Sequence, residues 1–350
     1  RNRMKIREYC LLLVFAIFSK IGLAQEVSSS SAVLNLSAFK KIAQVDERYQ
    51  SFNVEMCEIV GGDFWVPYHL IDPQKLIEAP EGFETVLTRE EWKGVIDFVK
   101  AVDGKLITSF AISNGIRDEN GNWTSTQLEA LLNYTKSIGG EIAGAEMFNE
   151  PSHASHGGAP DNYSAADYAR DFVAFKNFVA EAAPEMKILG PGSTGEGGII
   201  PGDEGMSTDE ILTAENAPEF DVFTYHFYGG VSQRCRGGLT PENALSTDWL
   251  SRTELGLKYY EEARDKYLPD APIWLTETAE AACGGDPWAA TYLDSFRYVE
   301  QLGRLAKKGV QVVMHNTLAV SEYALLDQQT LDPRPNYWAA LLWGKLMGTD

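Results

Sequence analysis

Basic residues, cysteines and long apolar runs are all scarce in this chain. Lys and Arg total 30 against 50 Asp and Glu, a net charge of −20. A body of that sign repels polyanions, so nucleic acid is not an expected partner and a densely sulfated polysaccharide is disfavoured. Four cysteines in 350 residues are too few for a disulfide scaffold and lack the paired spacing of a zinc site. His153 and His156 have no third ligand nearby, so no metal is expected, nor any other cofactor. Gly192 to Gly198 is glycine-rich but has neither a Lys-Ser/Thr ending nor a dinucleotide fingerprint, and reads as a loop. No stretch after the first residues approaches the roughly 18 apolar residues of a membrane span, so stable insertion is not expected.

The start of the chain reads as a leader. Met4-Lys5-Ile6-Arg7 is a basic flank, Leu11 to Phe18 a short apolar run, and Gly22-Leu23-Ala24 is small enough for cleavage. A signal peptide over residues 1–24 is predicted, and with it a secreted or periplasmic protein. Its removal takes five basic residues and one acidic one, leaving 25 against 49 and a charge of about −24. Residues 25–44 then form an N-terminal extension and 45–350 the main domain. Cys235 and Cys283 follow strands that would be neighbours, and a disulfide between their loops suits an exported chain.

From Thr88 onward, helical and strand patterns alternate. Thr88-Arg89-Glu90-Glu91 is a capping box before Trp92, Val95, Ile96 and Val99 at helical spacing. Further helices are predicted over about 127–137, from Ser164, near Asp209, over about 249–267 and 288–308, and over 336–346. Strands are predicted over 52–55, 105–112, 141–148, 186–190, 221–227, 272–276 and 310–316. Repeating units of this kind imply a parallel sheet closed as a (β/α)8 TIM barrel. Only seven strands are found: Glu58 to Arg89 offers no second strand, which would leave two unpaired edges.

Barrel chemistry collects at the C-terminal ends of strands, where Glu150, His226, Glu277 and Asn316 fall. Glu150 closes Met147-Phe148-Asn149-Glu150-Pro151, and Glu277 lies in Ile273-Trp274-Leu275-Thr276-Glu277-Thr278. Two such carboxylates are the minimal equipment for cleaving a sugar acetal, one protonated as donor and one ionised as nucleophile. Retaining chemistry would hold them about 5 Å apart. Asn149 is suited to hydrogen-bond a sugar 2-hydroxyl. Trp123 and Trp288 precede helices and read as packing, and Arg234 and Arg236 as an exposed loop.

Asn149-Glu150-Pro151, Tyr225-His226-Phe227-Tyr228, Trp274 to Thr278 with Gly284-Gly285, Val312 to Asn316, Glu322-Tyr323 and Asp332 to Trp338 together resemble glycoside hydrolase family 79, the heparanase and β-glucuronidase family of clan A. The resemblance implies Glu150 as acid/base and Glu277 as nucleophile, with His226 and Tyr228 orienting Glu277 or touching the sugar. It further implies recognition of a uronate carboxylate by backbone amides near Gly284 and the hydroxyl of Tyr323, with Asn316 nearby. Glu55 falls where the family binds sugar hydroxyls, though it reads equally as a solvated strand end. The implied activity is retaining hydrolysis of β-linked glucuronic acid in a glycoside, oligosaccharide or polysaccharide. An endo-acting heparanase- or hyaluronidase-like hydrolase, or an inactive carbohydrate-binding remnant, are the alternatives. Family members also carry a second strand, and a β-sandwich that is mostly C-terminal; neither is apparent in this sequence.

Overall fold

Among the described residues the sheet has seven parallel strands: β1 (Gln50–Phe52), β2 (Ile107–Thr108), β3 (Gly144–Glu146), β4 (Lys187–Ser193), β5 (Val222–Tyr228), β6 (Ile273–Ala279) and β7 (Val312–His315). A computed structural model describes Asn35 and residues 38–60, 79–83, 85–200 and 205–348. The predicted leader, residues 25–34, 36 and 37 of the predicted extension and the stretch 61–78 lie outside the described residues. Residues Ile42–Asp350 make one compact unit; Arg1–Lys41 make another, of which only Asn35 and residues 38–41 are described. Among the described residues no helix is long and apolar enough to cross a membrane.

The strands run in the order β1-β7-β6-β5-β4-β3-β2. This is the neighbour order of a TIM-type barrel interrupted between the first and second described strands, and among the described residues no strand fills that place. The sheet is strongest in its middle: β4, β5 and β6 have seven residues each, whereas β1 and β2 at the edges have three and two. Nearly every residue of these seven-residue strands is buried, as in a parallel sheet covered on both faces. Every residue of β5 is buried.

The helices begin where the capping signals are. Thr88 and Glu91 cap α1 (Arg89–Ala101) reciprocally, after a five-residue turn of helix at Met56–Val60. Next come α2 (Thr126–Ser137), α3 (Ala165–Ala182), capped by Ser164 and Asp167, and α4 (Thr208–Thr213), capped by Ser207 and Glu210. The Ser246 side chain caps α5 (Thr247–Tyr267). Then α6 (Tyr292–Lys308) ends at Gly309, whose φ of 80° is a left-handed conformation glycine adopts without strain. The last is α7 (Pro335–Leu346), tied to α6 by a buried cluster: Asp294 accepts from Asn336 Nδ2 at 2.6 Å, from the Ala290 amide at 3.1 Å, and from the Arg297 guanidinium.

Candidate active site

Glu150 leaves β3 in the left-handed region, at φ 47° and ψ 67°, a conformation costly for a residue with a Cβ. The turn after it is pinned to the end of β4, since Ser152 Oγ accepts from the Thr194 amide at 3.0 Å. Asn149 beside it is exposed at the strand's C-terminal end. On β6, Glu277 is the only residue of the strand that is not fully buried. Pairing of β5 with β6 sets His226 against Glu277 across a shift in register that follows Tyr225.

Four strands therefore converge. His226 Nδ1 lies 3.0 Å from Glu150 Oε1 and 3.6 Å from Glu277 Oε2. One ligand atom of each of the three residues lies within 4.8 Å of the others, so the two carboxylates are at the separation of a double-displacement pair. A small cation can span the same spacing only where the imidazole keeps a lone pair for it. Tyr228 donates to Glu277 Oε1 at 2.6 Å, and Asn316 Nδ2 donates to the Tyr228 hydroxyl at 2.9 Å and, more weakly, to that of Tyr323 at 3.4 Å.

Burial and the Glu150 carboxylate push Glu277 up to about 7, against the opposing pull of His226 and the Tyr228 hydroxyl. Glu55 is brought to the same cluster: burial and Glu277 push it up to about 8, and Asn316 hydrogen-bonds to it. It is not a strand end, because β1 stops at Phe52 and Glu55 lies in the connection to Met56. Glu58 fixes that connection, accepting from the amides of Ala319 and Val320 at 2.6 and 2.7 Å.

The loops after β5 and β6 form one wall. Cys235 and Cys283 are disulfide-bonded, with Cα atoms 6.3 Å apart, and Val231 bridges to Ala282. Gly284 and Gly285 follow at φ 76° and 80°; a Cβ on Gly285 would stand 2.7 Å from the Tyr323 ring. Close packing of that glycine holds the tyrosine beside Tyr228, at 6.3 Å between ring centroids. Beneath this wall Glu280 is wholly buried and accepts from the Asp286 amide at 3.0 Å, while its other oxygen has no hydrogen-bond partner. Burial and Asp294 push Glu280 up to about 8.

Sequence reasoning missed Glu146. It is buried on β3 behind the pair; its Oε1 accepts from Thr224 at 2.7 Å and Thr276 at 2.8 Å, and its Oε2 is 3.7 Å from His226 Nε2. The signal was a lone charge inside the apolar stretch Ala145 to Phe148. Gly192, read as loop, belongs to β4, where a Cβ would come within 2.7 Å of the Glu146 carboxylate. Trp123 and Trp288 are buried packing residues, Arg234 is exposed and donates to the Cys283 carbonyl at 3.1 Å, and Arg236 is exposed too.

The sequence model described as glycosyl hydrolase family 79, N-terminal domain, matches residues 78–303. Heparanase-like protein 1 of Arabidopsis thaliana is 29% identical over 65% of this chain and 41% of its own length. Heparanase of Rattus norvegicus is 28% identical over 68% and 43%, and hyaluronoglucuronidase of Hirudo nipponia 26% over 65% and 44%. The chain thus spans less than half the length of these relatives. Its fold is similar to that of a 4-O-α-L-rhamnosyl-β-D-glucuronidase from Fusarium oxysporum 12S, with a TM-score of 0.51 and 12% identity over 85% of this chain and 59% of that one. With the family model matching well over half of its residues, the chain belongs to glycoside hydrolase family 79.

Proposed function

We propose that the chain hydrolyses β-linked glucuronic acid with retention of configuration. The observation that carries this reading is the approach of Glu150 and Glu277 within 4.8 Å around His226. The two glutamates share a proton, and in the reacting complex it sits on Glu150, which gives it to the glycosidic oxygen as the Glu277 carboxylate attacks the anomeric carbon, so the aglycone leaves as an alcohol and a sugar ester remains. Glu150, now a carboxylate, takes a proton from water, whose oxygen displaces Glu277. Asn149, exposed beside Glu150, is suited to hydrogen-bond the 2-hydroxyl, a contact that strengthens as the ring flattens towards an oxocarbenium ion. Tyr228 and Asn316 hold the nucleophile, while amides near Gly284, the Tyr323 hydroxyl and Glu55 address the rest of the sugar.

The names of the relatives point to glucuronic acid in a polysaccharide, and the net charge of −20 favours an unsulfated one. The disulfide supports an exported protein from which residues 1–24 are removed. An aryl β-glucuronide followed by NMR of the first-formed sugar tests the reading. Release of the β-anomer by the wild type, and loss of turnover in Glu150→Gln and Glu277→Gln, are expected. An α-anomer, or unimpaired hydrolysis by both variants, overturns it.

A further inference from the structure

Behind the two glutamates lies a third carboxylate that the reaction does not consume. Glu146 is buried, and its Oε1 takes two hydroxyl hydrogen bonds, from Thr224 of β5 and Thr276 of β6. Both hydroxyls donate to one oxygen and leave Oε2 to His226, and these partners together hold Glu146 below the usual glutamate range despite its burial, so the group is a carboxylate. A buried carboxylate needs a counter-charge. Among the described groups that face it, Tyr168 of α3 stays neutral, and His226 supplies the charge.

His226 has carboxylates on both sides: Glu146 3.7 Å from Nε2, and Glu150 and Glu277 3.0 and 3.6 Å from Nδ1. A neutral imidazole would turn a lone pair towards one of them. Protonation at both nitrogens removes that repulsion and aims an N–H at the catalytic pair. From the remaining elements packed round the pair come Tyr228, Tyr323, Tyr260 and Glu55, neutral or anionic. Gly192 is the space the arrangement requires, since any side chain there would displace Glu146.

We infer that Glu146 is a positioning residue: it keeps His226 as an imidazolium whose Nδ1–H points between Glu150 and Glu277, and so sets the pH at which the nucleophile ionises. The inference deepens the retaining reading and rests on it for its kinetic half. Burial opposes a charge on His226, but Glu277, Glu146 and Glu150 outweigh it and raise its proton affinity, and His226 in turn overcomes the effect of burial on Glu146 and lowers it. The imidazolium pulls Glu277 down, so without it the nucleophile would ionise well above its present value of about 7.

The experiment follows the His226 ring nitrogens by NMR against pH in the full chain without substrate, alongside the pH dependence of kcat/KM. In the wild type the ring stays doubly protonated through pH 7.5; a neutral ring at pH 6 overturns the inference with no variant needed. In Glu146→Gln, which can still accept from Thr224 and Thr276, the ring loses its second proton at lower pH and the acidic limb of kcat/KM moves up by about one unit. That is a roughly tenfold loss at fixed acidic pH, with far less loss above the limb. Glu146→Asp restores part of both shifts. A uniform fall in kcat with neither shift would make Glu146 merely structural and overturn the inference. Because the NMR titration needs no turnover, it stands or falls separately from the anomeric test of the retaining reaction.

Discussion

Glu277 and Glu280 lie three residues apart on and just beyond β6, both pushed by burial towards the protonated form, yet the two are equipped differently. Glu277 keeps its carboxyl at the mouth of the site, takes a hydrogen bond from Tyr228 and faces His226, whose charge can change. Glu280 is sealed beneath the Gly284 loop, has one oxygen without a partner, and shares its cluster with Arg297, whose charge cannot change. A buried carboxyl becomes useful for chemistry when its environment can supply and withdraw charge. With only a permanent cation nearby it is structure.

The contrast can be broken or sharpened by substitution. Glu277→Gln should lower kcat/KM by about 10³-fold or more while leaving the thermal midpoint unchanged or raised, because a charge that is costly to bury is removed. Asp294→Asn should do the reverse: about 3 kcal/mol of stability lost, since Arg297 is left buried without its main counter-ion, with turnover per folded molecule retained. Denaturant midpoints against active-site titration separate the two effects. Cys283→Ser should cost about 4 kcal/mol, the order for opening a loop whose ends are 48 residues apart, and raise KM more than it lowers kcat.

Glu280→Gln should stabilise the protein by about 3 kcal/mol at pH 7. The sign follows from its folded value of about 8 against an ordinary 4.5. The folded state holds a proton that the unfolded chain has released, so this contribution is fully present below pH 4.5 and is lost as pH rises through 8. The advantage of the variant should therefore be absent at pH 4 and grow towards pH 8, and a thermal midpoint that differs equally at both would contradict the assignment. Smallest of all, a chelator should leave turnover unchanged, because the His226 imidazolium offers a cation nothing.

Much of the fold was legible because its signals are local. Capping residues such as Thr88, Ser164 and Ser207 start their helices by their own hydrogen bonds, and Gly309 stops one by its backbone freedom. Strand-end position likewise exposed Glu150, His226, Glu277 and Asn316, which the structure brings together with Tyr228 and Tyr323. What stayed hidden depends on register. That Glu146 reaches Thr224, Thr276 and His226 follows from how β3, β4, β5 and β6 slide against one another, and the β5–β6 shift after Tyr225 is not written in either strand. Glu55 reads in the sequence as the end of a strand over 52–55, but pairing of β1 with β7 runs only from Gln50 to Phe52, and the Asn53 side chain donates through Nδ2 to the Thr276 carbonyl at 3.1 Å.

The covalent tie between Cys235 and Cys283 makes the loops after β5 and β6 a single panel, reinforced by Ser232 and Arg234 on the Cys283 carbonyl and by Gln233 on Asp286. Neither loop can be lengthened or re-angled without dragging the other. A change of substrate preference on this side of the site would have to redesign both loops together, whereas Glu55, held by a separate connection, can be varied alone.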